Sequence, residues 1–135
     1  MAGETALSTL LREMSPTLNP GQYVFCTLDD AARLQGCVPL GSFREREGLT
    51  TILERGEADR LGLSYDYHAA WITLEVHSAL SAVGLTAAFA AALAQAGISC
   101  NVVAGYFHDH LFVASADAER ALSTLRALAA NAQAE

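Results

Sequence analysis

The chain has 135 residues, a formal net charge of −7 and eight basic residues, all of them arginine, so it lacks the clustered cations that phosphate contacts use to release counterions, and a nucleic-acid partner is not expected. Just over half of the residues are apolar, enough for a core without staples at this length, but no apolar run approaches the ~20 residues that cross a bilayer. Cys26, Cys37 and Cys100 share no CxxC spacing, so neither a disulfide frame nor a zinc site is indicated. Cys26 and Cys100 read as buried small hydrophobes. No basic region followed by an apolar core opens the chain, and a cytoplasmic location is expected.

Thr5 can cap a first helix in which Leu7, Leu10, Leu11 and Met14 recur at helical spacing, with Pro16 and Pro20 stopping it. After the Pro20-Gly21 turn, Tyr23, Phe25 and Thr27 alternate with Val24, Cys26 and Leu28, an inner strand with apolar residues on both faces. From Asp29 to Glu47 the pattern is broken by Gly36, Pro39 and Gly41, and reads as a hairpin arm with short extended pieces at Val38 to Leu40 and Ser42-Phe43. Leu49 to Leu53 predicts another strand, and Glu57 to Leu61 a short helix ended by Gly62.

From Trp71 to His77 the chain alternates again, with Ile72, Leu74 and Val76 on one side and Trp71, Thr73, Glu75 and His77 on the other. Leu85, Ala88, Phe89, Ala92, Leu93 and Ala96 then fall at helical spacing, opened by Gly84 and closed by Gly97. Asn101 to Tyr106, a polar tip at His108-Asp109, and Leu111 to Ala114 read as a hairpin before a last helix over Ala118 to Ala130. The order β-α-β-β-α is that of a ferredoxin-like half-barrel. The first half repeats it without an initial strand and the second lacks a final one, so two interlocked modules that share or exchange strands are expected, divided as residues 1–66 and 67–135.

The run Val76 to Thr86, followed by an Ala/Leu-rich helix and Gly97-Ile98-Ser99-Cys100-Asn101-Val102-Val103, resembles an ACT domain. Gly3-Glu4-Thr5, Tyr23 to Thr27, Glu47 to Thr50 and His108-Asp109-His110 extend the resemblance to small stand-alone tandem ACT proteins. It implies an α+β, ferredoxin-like tandem fold, antiparallel sheets with helices packed on one face. It also implies a regulatory module that binds an amino acid or similar small metabolite at the glycine-bearing loop against a neighbouring module. Carried onto this chain, that loop is Val76, His77, Ser78, Ser81, Ala82, Val83, Gly84 and Leu85; the facing groups expected are Asn101 on the adjacent strand or residues of a second module. The physical reason is that a helix start exposes unpaired N–H groups and partial positive charge, which suit a carboxylate. The loop departs from many ligand-binding ACT modules in being neutral at Ser78 and Ser81, with only Glu75 near.

A homo-oligomer, first of all a dimer, is expected, with no cofactor. The alternative is a ligand-free oligomerisation or partner-binding module of the same fold, with Trp71 and Tyr106 as an apolar patch. His108-Asp109-His110 could hold a metal by residue type, but two imidazoles at i and i+2 without further ligands read as turn histidines, so no metal is expected. No catalytic motif is present, and the strand pattern makes His77 and Ser78 diverge, so an enzyme is not expected.

Overall fold

A computed structural model describes residues 6–76 and 81–133, and for Gln133 the backbone alone. Its elements run α1 (Leu7–Glu13), β1 (Pro16–Leu18), β2 (Tyr23–Leu28), a 3-10 turn (Ala31–Leu34), β3 (Gly41–Arg44), β4 (Leu49–Glu54), α2 (Arg55–Arg60), β5 (Ala69–Leu74), α3 (Leu85–Gln95), β6 (Asn101–Ala104), β7 (Asp109–Ala114), a second 3-10 turn (Ser115–Asp117) and α4 (Ala118–Gln133). Chain contacts group these into two units. One combines the described residues up to Pro20 with those from Ala70 onward; the other is Gly21–Ala69.

In the first unit the strands lie in the order β1-β5-β7-β6. Strand β1 runs antiparallel to β5, Pro16 opposite Leu74 and Leu18 opposite Ile72, and β6 and β7 form an antiparallel hairpin from Asn101 opposite Phe112 to Ala104 opposite Asp109. The alternation explains the layering. Ile72, Leu74, Leu111 and Val113 turn to one face and are buried with Leu10 of α1, Leu85, Phe89 and Leu93 of α3, and Ala121, Leu122 and Leu125 of α4. Each large side chain buried this way contributes about 1.5–3 kcal/mol. The expectation of ferredoxin-like sheets with helices on one face holds, and the N-terminal helix and strand serve the sheet built by the C-terminal segment.

In the second unit β2 pairs antiparallel with β4, Tyr23 opposite Glu54 and Leu28 opposite Leu49, and β4 pairs with β3. Its core is Val24, Cys26, Leu28, Leu34, Leu53, Ala58 and Leu63. Two elements differ from the sequence reading. Pro16 opens strand β1 instead of only stopping a helix, which the missing N–H permits at the first residue of an edge strand. The Asp29 to Glu47 stretch contains a 3-10 turn whose N-cap Asp30 accepts from the Ala32 N–H at 2.9 Å. Residue Thr5, expected as the cap of α1, lies outside the described residues; the helix has Ala6 as its N-cap, with no side-chain bond there.

Candidate functional site

The start of α3 is set by Gly84, the N-cap residue, at φ +100°, a left-handed conformation that β-carbon sterics deny to most other residues. The first intrahelical bond runs from the Ala88 N–H to the Gly84 carbonyl at 2.9 Å. The N–H groups of Leu85, Thr86 and Ala87 precede it and have no acceptor one turn back, and among the described residues no side chain caps them. On its other side Gly84 is backed by α1: a β-carbon there would stand 3.1 Å from Leu7 Cδ2. Any larger residue would therefore meet both the backbone conformation and Leu7. Leu7 also lines an open groove of about 540 Å³ with Ser8, Leu11, Arg12 and Ala132.

The other expected loop residues separate by environment. Val76 and Leu85 are buried in the core, Ala82 packs against it, and Ser81 and Val83 are exposed. Residues His77 and Ser78 lie outside the described residues. Asn101 is exposed, with its amide donating to the Phe112 carbonyl at 3.4 Å. Strand β7 separates β6 from β5, so Asn101 is two strand spacings, about 9.6 Å, from the strand that leads into the loop.

A second constellation sits on the opposite face of the same sheet. Trp71 and Thr73 of β5 and His110 of β7 meet there, the Trp71 Nε1–H donating to His110 Nδ1 at 3.0 Å and Thr73 Oγ1 lying 3.2 Å from that same nitrogen. The Asn19 side-chain amide, just past β1, donates to Thr73 Oγ1 at 2.9 Å and to the Trp71 carbonyl at 3.3 Å. Burial, reinforced by neighbouring His108, pushes the His110 imidazole below its ordinary 6.5, while Asp109 opposes the shift. The Asp109 carboxyl is pushed up from 3.8 by burial, against the pull of His110 and His108. Gly105 starts the hairpin loop, its N–H bonded to the His108 carbonyl at 2.9 Å, and a β-carbon there would come within 2.8 Å of that oxygen and 3.2 Å of His110 Nε2. Of the expected apolar patch, Tyr106 is exposed at the hairpin tip and stacks edge-on to Phe107 at 5.0 Å, whereas Trp71 is half-buried in the polar network.

Models of the ACT domain match residues 2–70 and 67–127. The chain belongs to the ACT domain family. Among solved structures it is similar to a protein of unknown function from Vibrio cholerae described as a possible transport protein, at 50% identity and TM-score 0.83 over 91% of this chain and 95% of that one. It also resembles a protein from Agobacterium tumefaciens, at 19% identity and TM-score 0.68 over 87% of this chain and 90% of the other. The ligand-free regulatory subunit of aspartate kinase from Thermus thermophilus shares the fold, at 11% identity and TM-score 0.64 over 84% and 95% of the two chains. A search of curated proteins found no match.

ACT domains are typically regulatory ligand-binding modules. Burial raises the thiols of Cys26 and Cys100, the opposite of what activates a nucleophile. Among the described residues no three His, Cys, Asp or Glu side chains converge as a metal site would require, and no helix is long and apolar enough to cross a membrane. Asn19 and Thr73 are the network members that sequence reasoning missed as site residues in this ACT domain protein. The alternation already put Thr73 beside Trp71; Asn19 was hidden because Pro16-Thr17-Leu18 read as a helix stop.

Proposed function

We propose that this ACT domain protein is a regulatory module that binds an amino acid or similar small carboxylate-bearing metabolite at the loop ending in Gly84. The observation that supports this is the start of α3, where Gly84 turns the chain and no side chain among the described residues caps the Leu85, Thr86 and Ala87 N–H groups. The partial positive charge of an 11-residue helix favours a carboxylate there. A homodimer in the cytoplasm belongs to the same proposal. Strand β6 ends the sheet of its unit, and an edge ladder is a ready pairing surface for a second copy, whose residues could close the loop. In this reading the sequence-level halves, residues 1–66 and 67–135, are the repeating ACT modules.

The test is a thermal-shift and calorimetric screen against the proteinogenic amino acids. A ligand that binds the native state raises its melting temperature by mass action, about 2.7 kcal/mol of stabilisation at a hundredfold excess over Kd. The exposed Ser81 offers a clean probe, because Ser81→Glu adds a negative charge to the loop without touching the core and should weaken carboxylate binding. No heat and no thermal shift with any amino acid would defeat the proposal.

A further inference from the structure

The network on the sheet face opposite the helices has a property that its atoms dictate. The Trp71 indole nitrogen is a donor only, so His110 Nδ1, at 3.0 Å from it, must be an acceptor and carry no proton. Thr73 Oγ1 accepts from the Asn19 amide at 2.9 Å, which leaves its own proton free to point at the same Nδ1, 3.2 Å away. Two donors thus converge on one imidazole nitrogen and specify the neutral ring with its proton on Nε2. Protonation would place an N–H against the Trp71 N–H, so that bond is lost, and the Thr73 hydroxyl would have to turn round and accept from Nδ1, leaving its own proton without this acceptor.

We infer that Trp71, Thr73 and His110 form a proton-sensitive latch between strands β5 and β7, closed when the imidazole is neutral and opened when Nδ1 takes up a proton. The groups that bias it within this unit can be named. His108 and Asp109 flank His110 on its own hairpin; β5 brings uncharged Trp71 and Thr73; β6 sets uncharged Val103 opposite His110; and Glu75, the nearest carboxylate further along the chain from Thr73, is held by the Thr17 hydroxyl at 2.5 Å. The His110 imidazole is pushed below 6.5 by burial first and by His108 second, with Asp109 working the other way. The folded protein therefore favours the neutral ring. The stability that the latch adds is fully present above the unfolded value of 6.5 and is lost as pH falls through the lower folded value.

Trp71 is the single tryptophan of the chain, so its indole N–H gives one resonance in a proton–nitrogen correlation spectrum and its fluorescence reports one site. Both signals should pass through a single transition below pH 6.5. His110→Gln, which keeps an acceptor but cannot titrate, should abolish that transition. His108→Gln should move it to higher pH and Asp109→Asn to lower pH, because each removes a charge acting on the ring in the opposite sense. Imidazole nitrogen shifts of the unaltered protein give a readout that needs no variant to fold: above pH 7 Nδ1 should be unprotonated and Nε2 protonated. The inference is overturned if the ring carries its proton on Nδ1, if the transition survives in His110→Gln, or if the two flanking variants move it the other way.

Discussion

Each unit of the molecule buries a threonine on a strand within its sheet, and the two meet opposite fates. Thr73 on β5 is buried at 8% exposure, yet its hydroxyl accepts from Asn19 and lies within reach of His110. Thr51 on β4 is fully buried, and its hydroxyl has no hydrogen-bond partner among the described residues. The same side chain is thus a working part of a polar network in one unit and a filler of core volume in the other. The lesson is that a polar residue at a strand position says nothing of function until its partners are counted, because a satisfied hydroxyl contributes about 0.5–1.5 kcal/mol and an orphaned one costs about 1–3 kcal/mol.

The largest lever on the comparison is the core beneath Thr73. Leu10, fully buried on α1, packs with the strands and helices of the C-terminal segment. Leu10→Ala should lose about 2–5 kcal/mol by chemical denaturation. A loss under about 1 kcal/mol would mean that the N-terminal helix is not part of that core and that the two-unit description is mistaken. Next in size is Thr73→Val, which keeps the shape but strips the Asn19 amide of an acceptor and His110 of a donor. It should destabilise by about 1–3 kcal/mol, and the loss should be greater above pH 6.5, where the imidazole is neutral and the latch closed, than well below it. An equal loss at both pH values would separate Thr73 from the latch and leave it a purely structural residue.

The parts of this molecule that local pattern dictates were legible in its sequence, and those that rest on distant meetings were not. Ile72 and Leu74 declared a strand face by alternation, and Leu85, Phe89 and Leu93 a helix stripe by their spacing; all five are buried together. Gly84 was readable as the opening of α3 because glycine there answers a backbone demand, and its φ of +100° meets that demand. The Asn19–Thr73 and Trp71–His110 bonds join residues 54 and 39 positions apart, and no local pattern encodes which side chains a sheet will bring opposite each other. Strand β1 was missed for a related reason. Two prolines speak locally for a break, while the antiparallel pairing of Pro16 with Leu74 exists only once the sheet is assembled.

The smallest effect, and the one that cuts most sharply between the two threonines, belongs to Thr51→Val. The Thr51 position lies opposite Cys26 on β2 and Ser42 on β3, with no exposed surface and no partner for its hydroxyl among the described residues. Valine has nearly the same shape, so the exchange leaves no cavity; it removes a buried hydroxyl whose desolvation nothing offsets. β-Branched valine also suits the strand as well as threonine does. The expected outcome is a protein at least as stable as the original, by up to about 1 kcal/mol, read as a rise in the denaturant midpoint with an unchanged slope. If Thr51→Val instead destabilises by as much as Thr73→Val, the Thr51 hydroxyl must have an acceptor or a water in solution, and the contrast between the two units collapses. The opposite signs of one substitution at two buried strand positions would establish that partners, and not residue type, make the Trp71–His110 face the polar centre of the fold.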